Sequence, residues 1–294
     1  MPELPDVTVY IDCLEPRILG KEIRGAHVLN PFVLRTVAPP LSSAVGRTVR
    51  SISRLGKRIV IGAEDELYII IHLMIAGRLR WRENGKKIAG KLAQASFEFD
   101  GGTLYLTEAG SKRRASIHVV EGAESLAEFD RGGLEVLDAD VADFASRLRG
   151  ENHTLKRSLT DPRLFSGIGN AYSDEILHRA RMSPLTLTSR LTDEQIETLL
   201  TATKETLIDW TNRLRAEVGD GFPEKVTAFR EGMAVHGRYK LPCPVCGSPV
   251  QRIRYADNET NYCARCQTNG RLLADRAMSR LLKQDWPRSI DEVE

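Results

Sequence analysis

Two groups of residues in this sequence have types and spacings that could do chemistry. The first is the opening run Met-Pro-Glu-Leu-Pro-Asp. Loss of Met1 would leave Pro2 as a terminal secondary amine, and an α-amine with a pKa of roughly 8 is a usable nucleophile at neutral pH. Glu3 and Asp6 place carboxylates beside it that could move protons. The plainer reading makes Pro2 an incidental residue at a start site. The second group is Cys243, Cys246, Cys263 and Cys266, two Cys-x-x-Cys knuckles separated by sixteen residues. This spacing matches a four-thiolate zinc ribbon, and a full thiolate set leaves no open position, so the expected zinc is structural and one per chain. A redox dithiol pair is the alternative, but it would not need two knuckles. Arg252, Arg254 and Arg265 lie in or beside the ribbon and could meet phosphates, although a solvated surface would look similar.

These residues need elements to hold them. A chain of 294 residues is long enough for two domains. Lys and Arg number 42 against 40 Asp and Glu, a net charge of +2, so any nucleic-acid surface must be local. No apolar run approaches the roughly 20 residues of a bilayer span, and acidic residues occupy the place where a signal peptide would be basic. A cytoplasmic protein without a membrane partner is therefore expected, and four cysteines clustered within 24 residues then suit metal better than disulfides.

Val7, Ile11, Leu14 and Ile18 repeat at helical spacing, predicting a helix over 6–19. From 21 to 120 the pattern is strand-like: RTVRSIS, KRIVIGA, ELYIIIHLMIAG and SFEFDGGTLYL, the last a hairpin around Asp-Gly-Gly. ENGKKIAGK reads as an exposed loop. Beyond about 130 the chain becomes helical, with an apolar stripe between Leu191 and Leu214. GDGFPEKVTAFREG reads as a loop, SPVQRIRYADNETNY as a hairpin turning near 256–259, and Leu273, Ala277 and Leu281 fall at helical spacing in the tail. In GIGNAYSDE the glycines allow a tight turn into a helix whose amides, with Asn170, could meet a phosphate. His72 reads as an ordinary strand residue.

Taken together, MPELP at the start, LGKRIV around Lys57, GIGNAYSDEILHRARMSP, and a ribbon entered through HGR and left through CQ resemble the formamidopyrimidine-DNA glycosylase and endonuclease VIII family. The resemblance runs from residue 2 to about 271. It implies an α+β protein: an N-terminal β-sandwich flanked by helices over 1–130, a helix–two-turns–helix domain over 131–230, a zinc finger over 231–271, and an extension over 272–294. DNA, damaged or abasic, would lie between the two domains, and the chain would be a monomer. The implied reaction is excision of a damaged base followed by strand cleavage. Pro2 would form the Schiff base, Glu3 would move the protons, Lys57 would contact phosphate, and Asn170 would bind DNA. The base must be extruded, because the sugar carbon cannot be reached in a stacked duplex.

Four positions depart from the family pattern. Asp6 stands where glutamate is usual at the active-site wall. Aligning on Ala76-Gly77 places Ile75 where a methionine fills the void left by the base, with Met74 on the other face of the strand. TEAGSKRRASIHVV replaces a segment that supplies an Arg and a Phe to the gap, leaving Lys112, Arg113 and Arg114 and no Phe, Tyr or Trp. Asn258 takes the place of an arginine five residues before the third cysteine, so that either Arg254 or Arg252 compensates or the protein holds DNA differently. The competing expectation is a non-catalytic or lyase-only binder of damaged, abasic or single-stranded DNA.

Overall fold

The first helix, α1 (Leu4–Ile18), starts two residues earlier than its apolar spacing predicts, because Glu3 and Asp6 form a capping box at its N-terminus. The Glu3 backbone N–H donates to Asp6 Oδ2 at 2.9 Å. Pro5 loses nothing in the first turn, where backbone N–H groups have no intrahelical acceptor. The computed structural model describes residues 1–83, 86, 88, 92–110, 112–255 and 258–292. These fall into two compact units: residues 1–131 with 210–227, and residues 132–209 with 228–294.

In the first unit eight antiparallel strands form two four-stranded sheets. One has the order β1 (Gly25–Val28), β6 (Ala93–Phe99), β7 (Gly102–Glu108), β5 (Gly77–Arg82); the other has β2 (Val49–Leu55), β3 (Arg58–Ala63), β4 (Leu67–His72), β8 (Ser116–Glu121). Alternation aims Ile59, Ile61, Ile69, Ile71 and Ile117 from the second sheet into the same core as Leu79, Phe97, Leu104 and Leu106 from the first. Val7, Tyr10, Leu14 and Ile18 of α1 complete that core. The opposite face of the second sheet is also covered, since Val60, Ile70 and Val120 pack with Leu126 and Phe129, the former in α2 (Ala123–Ala127). The mixed α and β class with a two-sheet N-terminal part agrees with expectation.

The apolar run through residue 77 is not one strand. β4 ends at His72, and Met74 adopts a left-handed backbone with φ of 52°. Gly77 N–H then donates to Leu73 O at 2.8 Å, and a Cβ at Gly77 would sit 2.3 Å from that oxygen. Met74 and Ile75 therefore occupy a turn that carries the chain from one sheet to the other, instead of opposite faces of one strand. The ENGKKIAGK segment lies largely outside the described residues.

His72, at the end of β4, is pressed by burial and then by Arg58, Lys57 and His118 to a pKa of about 4. It is neutral when folded and takes up a proton near 6.5 when unfolded, so folding stability is expected to fall as pH drops from about 6.5 to about 4, by at most about 3 kcal/mol. Denaturant titrations across that range should show the decline, and His72→Gln should flatten it.

In the second unit α3 (Val141–Arg149) precedes α4 (Leu155–Thr160), two turns, and α5 (Asn170–Arg179), the helix–two-turns–helix order. Gly167 takes a φ of 80° in the second turn. The long α6 (Asp193–Val218) begins in this unit and ends in the first, the division falling at Trp210. The ribbon hairpin is β9 (Gln251–Tyr255) and β10 (Asn258–Tyr262), followed by α7 (Ala264–Thr268); residues 256 and 257 of its turn lie outside the described set. The tail, with α8 (Arg276–Leu282), is joined to the ribbon: Leu272, Leu273 and Ile290 share a core with Ile253, Tyr262 and Ala264. No described helix is long and apolar enough to cross a membrane.

Candidate catalytic terminus and zinc-linked nucleic-acid interface

At the first unit's N-terminus the capping box brings two carboxyl groups together. Glu3 and Asp6 are buried, and their reciprocal contacts hold both carboxyl groups beside the chain end. The terminal amine itself is partly buried. Burial lowers its pKa below the usual 8.0; Glu3 opposes this, Arg78 adds to it, Asp6 opposes and Lys57 adds. Here the Met1 amine stands in for the Pro2 nitrogen one residue along. Asp6, one methylene shorter than glutamate, reaches the Glu3 backbone N–H, which gives that departure a structural role: it fixes the Glu3 backbone at the start of the helix.

Lys57 lies in a two-residue turn, since Leu55 pairs with Arg58, and Gly56 ahead of it has φ of 63°. Such turns accept glycine first, and they bring the next side chain to the hairpin tip. Ile75 projects from the turn after β4 with 60% of its surface exposed. Between β7 and β8 the loop carrying Lys112, Arg113 and Arg114 leaves all three exposed. Its far end is tied down by buried Glu108, whose carboxylate accepts from Arg114 N–H at 2.8 Å and from Ala115 N–H at 3.0 Å. Glu108 was not singled out from sequence, because one glutamate at a strand end carries no pattern.

In the second unit a buried polar network joins the separated motifs. Asp174 of α5, with its side chain fully buried, accepts from Lys156 Nζ of α4 at 2.5 Å; its other oxygen pairs with His236 Nδ1 at 2.8 Å and accepts from Asn261 N–H at 3.1 Å. Glu175 accepts from the backbone N–H groups of Ala234, Val235 and His236 at 2.7 to 2.9 Å. Taking away one partner of such a set leaves an uncompensated buried charge, at a cost of about 3–5 kcal/mol. The acidic pair in YSDE and the histidine of HGR were the available signals, but only folding pairs them.

Asn170 opens α5, and its Nδ2 donates to Glu259 O at 2.9 Å. Its side chain thus joins the helix terminus to the hairpin. On that hairpin Asn258 is exposed at the start of β10, opposite Tyr255. Arg252 stacks 4.0 Å over Tyr239 and meets Glu259 at 3.3 Å. Arg254 stands 3.8 Å from the same carboxylate and keeps 64% of its side chain exposed, so of the two arginines it has the greater reach to solvent.

The four cysteine sulfurs lie within 4.8 Å of one another, with Cys243 and Cys266 3.9 Å apart and Cys246 and Cys263 3.4 Å apart. A tetrahedral zinc with bonds of about 2.3 Å requires sulfur separations of about 3.8 Å, so the set fits one ion. Burial pushes the Cys263 and Cys266 thiols up, a cost that a divalent cation reverses by binding the thiolates. His178 of α5 places Nε2 3.3 Å from Cys243 Sγ. Burial, then Arg181, lowers its pKa, so the neutral ring can donate to the thiolate and orient it.

Comparison with known proteins gives a consistent result. The formamidopyrimidine-DNA glycosylase N-terminal domain model matches residues 1–114, the H2TH domain model of the same enzyme matches 134–212, and a zinc finger found in FPG and IleRS matches 240–269. The formamidopyrimidine-DNA glycosylase of Thermus thermophilus is 31% identical over 286 residues, covering 92% of this chain and 100% of its own. An uncharacterized formamidopyrimidine-DNA glycosylase-like protein of Mycobacterium tuberculosis is 44% identical over 151 residues, 51% of this chain and 94% of that protein. Among solved structures, the Lactococcus lactis Fpg in complex with abasic-site DNA is similar with a TM-score of 0.78 and 25% identity, covering 90% of this chain and 99% of that one. On the sequence identity across nearly the whole length, the three matched domains and the shared fold, this chain belongs to the formamidopyrimidine-DNA glycosylase family.

Proposed function

We propose that this chain is a DNA glycosylase and abasic-site lyase whose nucleophile is the Pro2 nitrogen after loss of Met1. The observation that carries the reading is the chain end beside the buried capping-box carboxyl groups of Glu3 and Asp6, where burial lowers the pKa of the terminal amine. In the proposed sequence the neutral amine bonds to the anomeric carbon of an extruded nucleotide as the bond to the base breaks, and the departing base takes up the proton that the amine nitrogen gives up. Glu3 protonates the sugar ring oxygen as the ring opens, leaving a cationic Schiff base. That cation acidifies the neighbouring sugar proton; its removal expels the 3′ phosphate, and water then releases Pro2. Lys57 steadies a phosphate beside the lesion. Asn170 and Arg254 contact the DNA backbone, with Arg254 serving in place of the charge that Asn258 lacks. Zinc on the four cysteines keeps the hairpin folded and takes no part in these steps. We further infer a cytoplasmic monomer acting on damaged or abasic DNA.

Borohydride reduction in the presence of abasic DNA tests the proposal, because only a Schiff base is trapped covalently. A trapped complex is the expected result, and Pro2→Gly should retain DNA binding and lose most of the elimination. DNA binding without any trap would mean that the scaffold binds without turnover, a reading that Asn258 and the replaced Arg and Phe segment favour.

The gap left by the base sets a second expectation. Unstacking costs a few kcal/mol, which inserted side chains offset. Here the exposed Ile75 is the apolar residue at the turn, and the loop after β7 offers charge without a Phe, Tyr or Trp. Substrates already unstacked, namely single strands, bubbles or abasic sites, should therefore be favoured over a paired 8-oxoguanine. Rates on one lesion in duplex, bubble and single-stranded DNA decide it; a duplex preference of tenfold, about 1.4 kcal/mol, would show the gap well filled.

A further inference from the structure

Along β5 the sequence GRLRWR puts Arg78, Arg80 and Arg82 on one side of the strand, while Leu79 points into the core. All three grip the segment that follows α6. Arg80 and Arg82 pair with Glu224 at 2.8 and 2.6 Å, and Arg78 Nε donates to Val226 O. The segment is held at its other end by Arg17 of α1, which donates to Asp220 O and Gly221 O at 3.1 and 2.9 Å. Phe222 packs beside Tyr10 with ring centroids 5.8 Å apart. Residues 220–226 thus form a strap bound to the first unit by four arginines.

Arg78 does more than hold the strap. Its Nη1 donates to Ile75 O at 3.0 Å and to Gly77 O at 2.6 Å, so one guanidinium joins the strap to the turn that displays Ile75. A planar fork can do this; a lysine ammonium, with its single point of charge, cannot span the same carbonyls. We propose that Arg78 is a positioning residue for the amine chemistry: it locks the Ile75 turn against the 220–226 strap and supplies positive charge beside the N-terminal nitrogen. This rests on the function proposed above. The charged groups that act on the terminal amine are Glu3 at the N-cap of α1, Asp6 within α1, Lys57 from the β2–β3 turn and Arg78 from β5. Arg78 opposes the two carboxylates and favours the neutral amine.

Two readouts test this. The first needs no DNA: N-terminal reductive methylation with formaldehyde and cyanoborohydride, followed by mass spectrometry of the terminal peptide across pH, gives the titration midpoint of the Pro2 amine. The second places 2-aminopurine opposite an abasic-site analogue and follows its fluorescence as the Ile75 turn enters the gap. Arg78→Met should raise the midpoint, slowing methylation about threefold at pH 7, and should abolish most of the fluorescence change. Arg78→Lys should restore the midpoint and not the fluorescence, a split that a purely structural role would not give. Should Arg78→Met fail to fold, Arg78→Gln, uncharged yet able to donate to a carbonyl, carries the amine measurement. A wild-type midpoint in the uncharged variant, or wild-type fluorescence in Arg78→Lys, overturns the proposal. If the wild-type chain traps no abasic DNA, the proposed function fails, while the methylation midpoint still reads Arg78.

Discussion

Glu3→Gln is expected to leave binding to abasic-site DNA intact and to slow base release by roughly 10²–10⁴-fold, the usual contribution of a positioned proton donor and acceptor. The substitution is nearly isosteric. The Glu3 backbone N–H still donates to Asp6, so α1 keeps this half of its cap and the chain end keeps its direction. What is lost is a group that can give and take a proton beside Pro2. Single-turnover release of a damaged base, with affinity measured separately, separates the effects; a fall of less than tenfold would remove Glu3 from the chemistry. Asp6→Ala makes the contrasting case. It removes the Asp6 half of the cap, at a cost of about 1 kcal/mol, and should slow the reaction by letting Glu3 turn away instead of by deleting a proton carrier.

Removing one zinc ligand should have the second large effect, and it should fall on binding. Cys243→Ser leaves three thiolates, and metal content should drop from one equivalent to below about half, because thiolate sites of this kind draw roughly 10–16 kcal/mol from the intact set. The consequence extends past the ribbon. His178 contacts Cys243, Asn170 donates to the hairpin at Glu259, and Asp174 pairs with both His236 and Asn261. Loss of the ion therefore loosens the start of α5 as well as the hairpin, and salt-dependent DNA affinity should weaken accordingly. Schiff-base formation at saturating abasic DNA should change little, since Pro2, Glu3 and Lys57 belong to the first unit. Equal losses in affinity and in the saturated rate would contradict the structural assignment of the zinc.

Much of this was legible in the amino-acid sequence, and for identifiable reasons. The metal site is local: two knuckles separated by sixteen residues carry their own geometry, so four cysteines sufficed. The two-sheet part was readable from alternating apolar residues, and the Pro2, Glu3 and Asp6 triplet needs only a helix start to assemble, which a capping box provides within six residues. The sequence was silent wherever a side chain chose a distant partner. It offered Met74 and Ile75 as strand residues, because an apolar run does not reveal where the chain must leave one sheet for another; the left-handed Met74 and the close approach of Gly77 to Leu73 decide that. It offered Asn170 to a phosphate, and folding brought its amide to a carbonyl 89 residues away. Arg78 was one cation among many until β5 set it between the Ile75 turn and Val226, 148 residues along the chain. Short-range spacing follows from the pitch of helices and the pleat of strands, so it is written in the sequence; the partners of a buried charge or a forked donor depend on which elements the core brings together, and only the tertiary structure settles them.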